Sequence, residues 1–173
     1  MRAIHQIVGL SCLAVVLLLI GNPTGATAAE TLVAIKSEGI TELTCKTPNG
    51  NTVQIEISQA KLDLSSFLCK YALLWDGDVN ELPQTVLTSI HITQNRKALF
   101  VPLSVYSDLG DVKLASVEPT KEGSAVHVHG GGTATGYDAT FSFSKGFLKT
   151  RTVRNREFPD ESWEKTKYSF AKE

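Results

Sequence analysis

Two histidines separated by one valine, His127-Val128-His129, are the residues of this chain whose types and spacing come closest to a metal site. Successive side chains of a β-strand alternate sides, so both imidazoles would face one way. Together they supply two nitrogen ligands to Zn²⁺ or Cu²⁺, which require one or two more. His91 and Asp138 are of the right types to complete the set. The competing expectation is a solvated pair opposite inward-facing Val126 and Val128.

Other segments offer weaker chemistry. Gly130-Gly131-Gly132-Thr133-Ala134-Thr135-Gly136 is rich enough in glycine to cradle a phosphate. Such a loop must open a helix, and the residues from Tyr137 alternate as a strand, so the loop is expected to be a strand connection. Asp76-Gly77-Asp78-Val79-Asn80 starts like a Ca²⁺ loop. Glu81 stands where glycine is required and Leu87 where the closing glutamate belongs, so an acidic turn is expected.

Lys149, Arg151, Arg154 and Arg156, with Lys145 just before them, form a local basic stretch. On a regular strand Lys149 and Arg151 share one face, and Arg154 and Arg156 the other. Such a face would suit an anion or an acidic partner, although Glu157, Asp160, Glu161 and Glu164 follow closely. Tyr71, Trp75 and Trp163, with Phe67 and Phe158 near them, are candidates for an aromatic recognition surface. Neither a Gly-x-Ser-x-Gly elbow nor a His-Glu-x-x-His motif occurs in the sequence. A non-catalytic protein is the expectation, with no cofactor beyond the Zn²⁺ or Cu²⁺ considered above.

The elements that would position these residues alternate with period two. Thr41–Thr47 and Thr52–Ile57 flank Pro48-Asn49-Gly50-Asn51, which supplies a tight hairpin turn. Residues 65–75 fit a helix or a strand, with strand preferred because the aromatics alternate. Gln84–Thr93 and Lys97–Leu103 form a second hairpin around Gln94-Asn95-Arg96. Ser104–Leu109 has room for one helical turn. Five more strands are expected at 112–117, 125–129, 134–143, 147–154 and 162–170. Tyr137, Ala139, Phe141 and Phe143 form an inward row among them. The expected fold is all-β: one antiparallel barrel or sandwich of about eight to nine short strands with one disulfide.

The first 29 residues have a different character. Arg2 is followed by fourteen residues without a charge, Ile7–Ile20, then by Gly21-Asn22-Pro23 and small residues up to Ala29. That order suits a cleaved secretory signal. The run is shorter than the ~20 residues of a spanning helix, so no membrane span is expected after cleavage. Residues 30–173 would then form a single β-rich exported domain, periplasmic or secreted. Cys12 leaves with the signal, and Cys45 and Cys69 remain to pair in an oxidising compartment.

The chain carries a formal net charge of −1 at pH 7. A balance so close to neutral gives no electrostatic basis for binding nucleic acid. The expectation is an exported, non-catalytic binding or accessory protein of the bacterial cell envelope, with a protein or small-ligand partner there. Two alternatives are an inhibitor of an envelope-active enzyme such as lysozyme and a divalent-metal-binding protein using His127 and His129. The first of these rests on fold-level analogy.

Overall fold

The structure is a computed structural model, and it describes residues 31–63, 82–132 and 135–170. Residues 1–29, read above as a secretory signal, the 65–75 segment with Tyr71 and Trp75, Cys69 and the Asp76–Asn80 segment lie outside the described residues.

Ten strands form two antiparallel sheets among the described residues. The first sheet holds six in the order β1-β6-β7-β8-β9-β10, and the second four in the order β2-β3-β4-β5. In chain order these are β1 (Val33–Ala34), β2 (Gly39–Lys46), β3 (Thr52–Lys61), β4 (Thr85–Gln94) and β5 (Lys97–Leu99). They continue with β6 (Leu114–Pro119), β7 (Gly123–Gly130), β8 (Tyr137–Ser144), β9 (Phe147–Asn155) and β10 (Ser162–Lys167). The two sheets do not close on each other, so the fold is a sandwich rather than a barrel. Among the described residues no helix is long and apolar enough to cross a membrane.

Alternation in the sequence builds the core directly. Val53, Ile55 and Ile57 of β3 and Ile90 and Ile92 of β4 are buried from one sheet. Val126 and Val128 of β7, the β8 row Tyr137, Ala139, Phe141 and Phe143, and Leu148 and Val153 of β9 are buried from the other. The strand after the second hairpin turn is shorter than expected, ending at Leu99. Pro102 then leads into one 3₁₀ turn, Leu103–Val105, which buries Val105 against the core.

Two tight turns fix register. Asn95 and Arg96 have φ of 50° and 65°, and Lys145 and Gly146 have φ of 52° and 78°. Positive φ at both central residues is the turn whose twist matches paired strands. Asn95 compensates for its conformation with its side chain: its Oδ1 accepts from the Thr52 amide at 3.0 Å, and its Nδ2 donates to Asn51 at 2.7 Å.

The crossover between sheets is held by polar groups. The buried Gln59 amide donates to the carbonyls of Lys36 and Val112 at 3.3 and 3.2 Å and accepts from the Val112 amide at 3.1 Å. Asp111 accepts from the amide and hydroxyl of Thr85 at 2.8 and 2.9 Å. These contacts fasten β3 and β4 to the segment that enters β6.

Candidate functional site

The histidine pair lies on the outer face of the six-stranded sheet, each ring half-buried. His127 and His129 face Thr140 and Asp138 on β8. Nδ1 of His129 is 2.6 Å from Asp138 Oδ1, and Nδ1 of His127 is 3.1 Å from the Thr140 hydroxyl. Nε2 of His127 lies 3.3 Å from Glu118. Asp138, considered above as a further metal ligand, thus lies beside His129 and orients that ring.

His91 is elsewhere. It sits on β4 of the other sheet, opposite Glu56, which in turn faces Glu42 across β2. These side chains line a shallow concavity of about 270 Å³ with Gln54 and Thr93. A second concavity, about 390 Å³, lies beside Gln59 and Asp111. Among the described residues no three His, Cys, Asp or Glu side chains converge on a point where a metal would sit.

The basic stretch does not form one face. A bulge interrupts the β8–β9 ladder, where Leu148 pairs with Phe143 but Thr150 pairs with Ser142. Lys149 is the extra residue. The shift separates Lys149 from Arg151: Lys149 is exposed, whereas Arg151 points into the sandwich with 1% of its surface accessible. The expected Lys149–Arg151 face is corrected by that one-residue insertion.

Arg151 instead is a buried cation with every donor direction engaged. Nε donates to the Val105 carbonyl at 3.0 Å, Nη2 to both Asp108 oxygens at 2.7 and 2.8 Å, and Nη1 to Glu164. Glu164 also accepts from Thr166 at 2.5 Å. Burial acts against the Arg151 charge, but the hydrogen bond to Glu164 and the charges of Asp108 and Glu164 outweigh it and raise its pKa. Burial likewise opposes ionisation of Glu164, yet the Arg151 and Thr166 hydrogen bonds hold its carboxyl below the usual value.

The remaining two arginines are also separate. Arg154 is exposed on the outer face opposite Asp138. Arg156 turns back over the end of the sheet, donating to Asp138 at 3.2 Å and to the carbonyls of Gly130 and Tyr137 at 3.1 Å each. It thereby closes the described part of the glycine-rich loop. Gly130 is required there because a Cβ would lie 2.3 Å from the Tyr137 ring, whose hydroxyl donates to the Gly110 carbonyl at 2.7 Å. The loop joins two antiparallel strands and opens no helix, as expected.

An aromatic surface exists, built mainly from residues not singled out in the sequence. Phe100, Phe147 and Phe170 have 67%, 50% and 37% of their surface exposed. Phe170 meets the edge of Phe100 with ring centroids 6.2 Å apart and tilts against Phe147 at 5.6 Å. Lys149 Nζ sits 5.5 Å from the centre of the Phe147 ring. Three distant segments are brought together here. The chain after β10 continues along β9, where the Tyr168 amide donates to the Lys149 carbonyl at 2.9 Å, and this delivers Phe170. Gly146 in the β8–β9 turn stands close to Leu99 of β5, which places Phe147 beside the segment carrying Phe100. The outward phase of Phe147, next to inward Leu148, was the only signal in the sequence. Trp163 is partly exposed at a second bulge, between Ser162 and Glu164.

Fold and site together define an all-β sandwich domain with a solvent-facing aromatic cluster. No protein-family model, curated protein or solved structure matches the chain.

Proposed function

We propose that the chain is an exported, non-catalytic binding or accessory protein of the bacterial cell envelope, and that the Phe100–Phe147–Phe170 cluster is its contact surface. The observation that carries this reading is Phe170 packed against both Phe100 and Phe147 while all three rings face solvent. Large exposed aromatics on ordered backbone are the usual anchors of recognition. The apolar segment Ile7–Ile20 and the small residues after it support export. A Cys45–Cys69 disulfide belongs to the same proposal. Cys45 is half-buried on β2 against the core, and Cys69 lies outside the described residues.

Two measurements test the reading. The intact mass of the chain recovered from osmotic-shock fluid should correspond to loss of the first 28 or 29 residues. Binding of that exported chain to isolated envelopes should fall sharply in a Phe100→Ser, Phe147→Ser variant. A full-length mass, or unchanged envelope binding by a folded variant, contradicts it.

A further inference from the structure

We propose that the partner of the aromatic cluster is the surface of an anionic lipid bilayer. This names the partner of the contact surface proposed above and rests on that reading. Its first support is shape. Among the described residues the rings line neither the concavity along β2–β5 nor the one beside Gln59. Leu103, 64% exposed, lies three residues beyond Phe100 and extends the same apolar character. Exposed apolar rings suit insertion into a soft interface, where aromatic side chains settle at headgroup depth.

The second support is charge. The whole chain is balanced, with 17 lysines and arginines against 18 acids. The described residues within three positions of Phe100, Phe147 and Phe170 are not: they include Lys97, Lys145, Lys149 and Lys167 and no acid. Lys149 is seated on the Phe147 ring itself. Glu122 reaches the same turn, where it accepts from the Ser144 hydroxyl at 3.1 Å. Lysine stems can lie along apolar surface while their ammonium groups stay with the lipid phosphates. Lysines neighbouring apolar anchors in the chain, with Lys149 at the Phe147 ring, complement an anionic leaflet, and that attraction weakens with salt.

The test uses the exported chain and large vesicles, either phosphatidylcholine alone or an equal mixture of phosphatidylglycerol and phosphatidylcholine, separated by sedimentation. Binding to the mixed vesicles is expected to be roughly tenfold tighter than to phosphatidylcholine, and to weaken with added salt. Two variants, Phe147→Ser with Phe170→Ser and Lys145→Glu with Lys149→Glu, should each lose most of that binding. Circular dichroism melting of the same samples shows that they remain folded. Equal binding to both vesicle types, no binding to either, or folded variants that bind like the parent overturns the inference. If vesicles are ignored while envelope binding still requires Phe147, the partner is a protein; the lipid inference then fails and the binding reading stands.

Discussion

Arg151 and Asp108, 43 residues apart in sequence, meet inside the sandwich with Nη2 of the arginine within 2.7 and 2.8 Å of the two carboxylate oxygens. With Glu164 on the other side, the guanidinium joins the segment after the 3₁₀ turn to both β9 and β10. β10 is an edge strand with no fully buried side chain, and Glu164 ties it inward to this cation.

Replacing Arg151 by Met should therefore be costly. Removing one partner of a buried ion network leaves carboxylates without their cation, a loss of about 3 kcal/mol or more. Arg151→Lys should recover only part, because an ammonium cannot reach three acceptors in one plane. Urea unfolding midpoints of the chain check both; a Met variant as stable as the parent would show that the network contributes nothing.

Acid stability should carry the signature of Glu164. Its folded-state pKa lies below the ordinary value of 4.5, so its contribution is fully present above that pH. It is lost as the pH falls below 4.5 toward the depressed folded value. Glu164→Gln should lower stability at neutral pH and flatten the decline in acid. Urea midpoints measured from neutral pH downward report the difference, and parallel curves for the two proteins would be the adverse result.

Arg96 occupies a left-handed backbone position, φ 65°, that glycine adopts without penalty. Arg96→Gly should stabilise the chain by about 1 kcal/mol, because the side chain there works against the turn. Thermal melting would show a small upward shift. Asn95→Ala should do the reverse, losing two side-chain hydrogen bonds as well.

The cysteines make a separate prediction. If Cys45 and Cys69 pair after export, intact mass after alkylation should show no adduct without prior reduction. Reduction should then lower stability by on the order of 3 kcal/mol, as expected for a loop of ~25 residues.

For metals, the pair His127 and His129 brings two imidazoles but no third convergent ligand among the described residues. Calorimetric titration with Zn²⁺ or Cu²⁺ should give no saturable heat that a His127→Ala, His129→Ala variant abolishes. Such a heat would revive the metal reading and point to a ligand from another segment.

The sequence made the strands legible because alternation is a local property. The Tyr137–Phe143 row, the Val126–Val128 pair and the Lys145-Gly146 turn follow from period two and turn chemistry alone. The choice between barrel and sandwich was not legible, since it depends on which edges pair over long distance. The fate of Arg151 was hidden by the one-residue bulge at Lys149, which reverses the facing of everything beyond it. The site was hidden for a related reason: Phe100, Phe147 and Phe170 are isolated aromatics in sequence, and only the packing of the β8–β9 turn near β5 gathers them.

The account turns on where the chain touches its surroundings. A photo-crosslinking amino acid placed at Phe147, or at Gln54 on the outer face of the four-stranded sheet, reports this directly in intact cells. The account predicts a covalent adduct to an envelope component from Phe147 and none from Gln54. Adducts from Gln54 with none from Phe147 would contradict it.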